Sequence, residues 1–150
     1  MGGVVEDFAR PDALPEAWLE GLAGEAMEHR YASLADLRSY CARVASAVGA
    51  MMCVLMRVRD ADALARACDL GVAMQLTNIA RDVGEDARAG RIYLPLDWIH
   101  AEGLDPQSVL SATQASPELR RMVKKLLSEA QALYARSEVG VAALPLNART

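Results

Sequence analysis

At 150 residues, with 53% apolar and 24% charged side chains, the chain has the make-up of a single globular domain. A net charge of −4 and no basic stripe exclude nucleic acid as an expected partner. The longest apolar run, Val44 to Met56, is too short for a membrane span, which needs about 20 residues.

Pro15 opens a first helix that runs through Trp18, Leu19 and Leu22 towards His29. Glu6 and Asp7 break the apolar residues before it, which argues against a secretory signal. Ser33 followed by Asp36 resembles a capping box and starts a helix from Leu34 to about Met56. Along that helix Leu37, Tyr40 or Cys41, Val44, Val48 and Met51 or Met52 form a core stripe. Its small residues Ala45, Ser46, Ala47, Gly49 and Ala50 either admit a neighbouring helix or leave room for a ligand, and Ala67 and Gly71 repeat that pattern further on. Asp60 or Asp62 caps the next helix, which runs to about Ala89 and stops at Gly90. Asp105-Pro106 and Ser116-Pro117 start a short helix and then a long one, which reaches about Val139 with Gly140 as its stop. No strand-period alternation or internal repeat is present, so the fold class is all-α.

Cys41, Cys53 and Cys68 are an odd number without a CxxC pair, which predicts reduced, packed thiols in a cytosolic protein. His29 and His100 are the only histidines, and no ExxH pair exists to build a di-iron bundle. Both histidines are expected to be surface or hydrogen-bonded side chains.

The chemistry concentrates between Gln75 and Pro95, in QLTNIARDVGEDARAGRIYLP. Asn78, Asp82 and Asp86 recur every four residues, with Gln75 three residues earlier. On a helix such residues share one face, with Cβ atoms roughly 5–6 Å apart. Two carboxylates and an amide oxygen on one ridge are hard donors suited to Mg²⁺, which usually shares its shell with waters and substrate phosphates. The nearby helix C-terminus adds modestly to cation attraction. Facing helices with small residues along apolar stripes either pack closely on each other or line a tunnel for a greasy substrate.

YASLADLRSYCARVASAVGAMM (Tyr31 to Met52) and ACDLGVAMQLTNIARDVGEDARAGRIYLP (Ala67 to Pro95) resemble the squalene and phytoene synthase family of head-to-head prenyl synthases, in wording nearest its bacterial phytoene synthase branch. The resemblance extends more loosely through LPEAWLEGLAGEA and LYARSEVGVAALP. It implies an isoprenoid-synthase-type helical bundle and a reaction joining two allylic prenyl diphosphates. Geranylgeranyl diphosphate would give phytoene in carotenoid biosynthesis; the alternative within the family is a squalene or dehydrosqualene synthase using farnesyl diphosphate. An alternative of another class is a non-catalytic relative acting in assembly.

By the same resemblance Asp82 and Asp86 match the second aspartate-rich motif, which holds Mg²⁺, with Mn²⁺ as a substitute. Asn78 matches the metal-binding amide and Gln75 the glutamine near the reacting carbons. Arg91 is the candidate to contact diphosphate, as is Arg81 unless it pairs with Glu85 at i+4. Tyr40 matches a tyrosine whose hydroxyl reaches the diphosphate region. Ala45, Val48, Gly49, Leu70, Gly71 and Met74 match tunnel-lining positions, and Tyr93 a structural tyrosine. Ser46 stands where many members have glycine; its hydroxyl either narrows the tunnel or bonds back to its own helix.

The family's first aspartate-rich motif is expected upstream of Pro15 and is not found, since Asp82 to Asp86 is the one DxxxD. Residues 1–150 are therefore expected to be a partial synthase domain, the half that carries the second motif. Its open apolar faces would favour self-association, and a greasy substrate makes peripheral membrane association an expectation.

Overall fold

The computed structural model describes residues 29–141, and every regular element among them is helical. The order is α1 (Leu34–Cys41), a π-helical turn (Ala42–Ser46), α2 (Ala47–Leu55), α3 (Ala61–Arg88), α4 (Leu96–Ala101), α5 (Pro106–Leu110) and α6 (Pro117–Val141). The helix expected from Pro15 lies outside the described residues up to its end at His29.

The caps are those the sequence announces. The Asp36 amide donates to Ser33 Oγ at 3.3 Å, that of Ala63 to Asp60 at 2.9 Å, that of Ser108 to Asp105 at 2.7 Å, and that of Leu119 to Ser116 Oγ at 3.1 Å. Each satisfies an amide that the first helical turn would leave bare. The amides of Leu96 and Asp97, at the start of α4, donate instead to the carbonyls of Tyr31 and Ala32 at 2.8 and 3.1 Å. The residues before α1 are thereby tied to the segment that follows the long helix.

Two expectations about the helices are corrected. The helix from Leu34 is not uniform: residues 42–46 form a π turn, in which each bond spans one residue more than in an α-helix. Gly140 does not stop α6, which continues to Val141. A Cβ at Gly140 would lie 2.4 Å from Arg66 Cβ, so the glycine serves close approach to α3.

α3 and α6 share the most extensive helix–helix contact. Met122, Leu126, Ala130 and Leu133 bury one stripe of α6 at helical spacing, against Val72, Ala73, Leu76, Ile79 and Ala80 of α3 and the aromatic and aliphatic residues of 92–99. Each fully buried large side chain contributes about 1.5–3 kcal/mol, before ordering entropy is charged. The core also holds Cys41, whose thiol burial pushes up to about 12. All three cysteines are free. No described helix is long and apolar enough to cross a membrane.

Candidate functional site

The unbroken α-helical stretch of α3 carries Gln75, Asn78, Asp82 and Asp86 on one ridge. Asn78 is exposed, while Gln75, Asp82 and Asp86 are half-buried. The helix ends in a left-handed turn at Gly90, φ 80°, with the Gly90 amide donating to Ala87 and the Arg91 amide to Asp86 at 3.0 and 2.8 Å. That reversal returns the Arg91 side chain to the helix it has just left. Its Nε and Nη2 donate to Asp86 Oδ1 at 3.3 and 3.2 Å. Arg30 Nη2 donates to the Gly90 carbonyl at 3.0 Å, fixing the same turn from the other side.

Arg81 Nε and Nη2 clasp both oxygens of Asp82 at 2.7 Å. These hydrogen bonds hold the Asp82 carboxyl below the usual carboxylate range and raise the guanidinium. The alternative of an Arg81–Glu85 pair is corrected here: a two-pronged fit to Asp82 satisfies the planar fork, and Glu85 adds only weaker attraction. The ridge is thus an alternation of charge, with each carboxylate already holding a guanidinium. Among the described residues no three His, Cys, Asp or Glu side chains are grouped to hold a metal.

Tyr40 is a core residue, 1% exposed. Its ring lies 5.2 Å from Tyr31 and 5.6 Å from Tyr93, which are 5.9 Å apart. Its ring is thus set within a three-ring cluster with Tyr31 and Tyr93. Tyr93 has the structural place expected of it.

The small residues form a seam. A Cβ on Gly71 would stand 2.9 Å from the Ala45 carbonyl group and 3.0 Å from the Ser46 amide, and one on Gly49 3.3 Å from the Ala67 carbonyl oxygen. Gly71 is buried and Ala45 half-buried where the two backbones meet in this contact. Ser46 is also consumed here: its hydroxyl donates to the Cys68 carbonyl of α3 at 2.8 Å, not back into its own helix. By contrast Val48, Leu70 and Met74 are exposed. They leave an open apolar face beside the seam.

The family model for squalene/phytoene synthase matches residues 2–150. The chain belongs to the squalene/phytoene synthase family. It is 59% identical over 149 residues to a phytoene synthase of Rhodobacter capsulatus, a match that covers 99% of this chain and 44% of that protein. It is 60% identical, again over 149 residues, to a phytoene synthase of Cereibacter sphaeroides, with 99% and 42% covered. The chain therefore spans less than half the length of these curated relatives. A crystal structure of a dehydrosqualene synthase in complex with ligand superposes with a TM-score of 0.79 at 35% identity, covering 90% of this chain and 47% of that one. The squalene synthase HpnC of Alicyclobacillus acidocaldarius shares the fold at a TM-score of 0.83 and 23% identity, over 94% of this chain and 53% of its own.

One charged cluster of this family member is not legible from motif spacing. Asp69 is buried in α3 and is held by Arg136 from α6, through Nη2 and, at 3.2 Å, Nε, with Arg66 Nη1 3.0 Å away. The cluster binds the back of α3 to α6. A lone aspartate among apolar neighbours is its only signal, and its main partner lies 67 positions on.

Proposed function

We propose that this chain carries one metal-binding wall of a head-to-head prenyl synthase that joins two geranylgeranyl diphosphates into phytoene. The observation that carries the reading is the Asn78–Asp82–Asp86 ridge, with Arg81 and Arg91 already set on its carboxylates. Identity near 60% to bacterial phytoene synthases supports geranylgeranyl over farnesyl diphosphate as the substrate.

The donor set fits Mg²⁺ in part. Asp82, Asp86 and Asn78 would hold the ion with hard oxygens from one side, leaving the remaining positions to water, diphosphate and a second set of carboxylates. When bound, Mg²⁺ would neutralise the diphosphate as the allylic C–O bond ionises. Arg81 and Arg91 exchange carboxylate for diphosphate oxygens, a swap between two anionic partners of similar geometry. Tyr40, within its ring cluster, positions α1 and the turn after α3. The exposed residues Val48, Leu70 and Met74 hold the isoprenoid tails and keep water from the cations.

One wall is not a full site, so the 150 residues alone are expected not to turn over substrate. Each 1.36 kcal/mol of lost charge stabilisation slows ionisation about tenfold. Calorimetry with pyrophosphate or a non-reactive farnesyl analogue tests the ridge. Binding should require Mg²⁺ and vanish in Asp82→Ala. Binding that persists in EDTA and in that variant would remove the proposal, and phytoene made at an enzymatic rate by the monomeric chain would remove its incompleteness.

A further inference from the structure

The contact between α3 and α6 has two edges, and Ala73 lies midway between them. Asp69 and Thr77 each stand four residues from Ala73, about 40° to either side of it around α3. At one edge Asp69 takes Arg136. At the other, Tyr134 of α6 reaches Thr77, with the two hydroxyl oxygens 3.3 Å apart. Thr77 donates its one hydroxyl proton to the Ala73 carbonyl at 2.9 Å, so the phenol is the donor of the longer bond. Thr77 also belongs to a stripe: Leu70, Met74, Thr77 and Arg81 follow at i, i+4, i+7 and i+11. Leu70 and Met74 are exposed residues of the open face, and Arg81, which clasps Asp82, closes the stripe. The phenol therefore meets α3 where the open face borders α6. Along the helix axis that point is roughly 7.5 Å from Asp82 and roughly 10.5 Å from Leu70, between the metal wall and the apolar end.

We propose that Tyr134 is a substrate-positioning residue: its ring walls the α6 side of the face on which the isoprenoid tail lies, and its bond to Thr77 holds the ring there. The role rests on the reading that places the tail on Leu70 and Met74. Tyr134 is the one aromatic side chain in α3 and α6. It is half-buried, packed against the main core, with its hydroxyl at the open edge. An aromatic side chain with a polar handle suits such a border, because the apolar ring has few rotors to order and the hydroxyl fixes it. At this height the ring stands beside the first isoprene units of a diphosphate held at Asp82. A wall fixed there keeps the allylic carbon in register with the metal wall, where a displacement of about 1 Å is costly in rate.

The test titrates the whole chain with three ligands: pyrophosphate and a non-reactive farnesyl diphosphate analogue, each with Mg²⁺, and farnesol, which has the tail and no diphosphate. Tyr134→Ala should weaken farnesol and the analogue about tenfold and leave pyrophosphate within about twofold. Tyr134→Phe keeps the ring and Thr77→Val keeps the shape, and each should weaken the two tailed ligands about threefold by freeing the ring. The double variant should lose no more than either alone, since both changes remove one bond. Urea denaturation checks folding, and the Phe and Val variants decide the matter if Tyr134→Ala does not fold. Unchanged farnesol affinity in the folded variants overturns the proposal, as do equal losses for pyrophosphate and the analogue or additive losses in the double variant. A native chain that binds no farnesol overturns it too. Farnesol binding with the expected Tyr134 dependence, but no binding of pyrophosphate, would support it and remove the metal-wall reading alone.

Discussion

The two faces of α3 come from one helix and obey opposite rules. On the back, Leu76 is fully buried and Ala73, Ile79 and Ala80 pack with it into the main core. On the front, Met74 is 52% exposed, beside Leu70, Asn78 and the two aspartates. Both faces are rich in apolar residues, so hydrophobicity does not separate them. What separates them is whether another helix has taken up the surface. The face left open is the one that carries oxygen donors, and its apolar area is available to a ligand at no cost to the core.

Truncating one residue on each face puts this contrast to its most severe test. Leu76→Ala should lower unfolding free energy by about 2–5 kcal/mol, through lost transfer energy and a residual cavity. Met74→Ala, on the open face, should change it by less than about 0.5 kcal/mol. Urea denaturation of both variants measures this. Similar losses would mean that Met74 is already packed and that the front face is core.

Gly71 lies one turn before Gln75 on the line of the ridge, where the π turn covers it, and its substitution should have the next largest effect. A methyl there meets backbone, which cannot rotate away, so Gly71→Ala should destabilise by about 1–3 kcal/mol despite alanine's better helix propensity. Were Gly71 a tunnel wall and nothing more, the same change would be neutral or stabilising.

How much of this is legible in the sequence follows from the range of each interaction. The caps at Ser33, Asp60, Asp105 and Ser116 act within three residues, and the ridge from Gln75 to Asp86 needs only helical periodicity, so both can be read directly. The π turn at 42–46 cannot, because it answers to Gly71 and Ser46 meeting across two helices. The Arg81 partner escapes for a finer reason. Spacing at i+4 permits Glu85, but the two-oxygen fit to its neighbour Asp82 wins. Asp69–Arg136 and the helical place of Gly140 depend on how α6 lies along α3. No local pattern encodes that docking.

Cys41 extends the contrast between buried and open surface to pH. Its thiol is pushed up to about 12 in the folded chain, chiefly by desolvation, whereas an unfolded thiol ionises near its ordinary value. Between these values the folded state binds more protons than the unfolded state, so stability falls as pH rises. About one unit above the unfolded pKa the loss should be about 1.4 kcal/mol. Cys41→Ala should be less stable at neutral pH yet lack this alkaline component, a difference that denaturation at two pH values measures.

The smallest expected effect comes from the ends of the two helices that form the seam. Both close in the same way. After α3 the amides of Gly90 and Arg91 return to the carbonyls of Ala87 and Asp86, and after α2 those of Arg57 and Val58 return to Val54 and Cys53 at 3.0 and 2.9 Å. The left-handed position is Gly90 at the first end and Arg57, φ 62°, at the second. A side chain in that region costs roughly 1–2 kcal/mol, and the greater freedom of glycine in the unfolded chain returns part of it. Arg57→Gly should therefore stabilise by about 0.5–1 kcal/mol, which is roughly 1–4 °C in Tm for a chain of this size. Because Arg57 is exposed and enters no ion pair among the described residues, nothing else is removed with it. A loss of stability would show that the arginine makes a contact worth more than its strain, and that the α2 end, like the α3 end, is held by a side chain as well as by its turn.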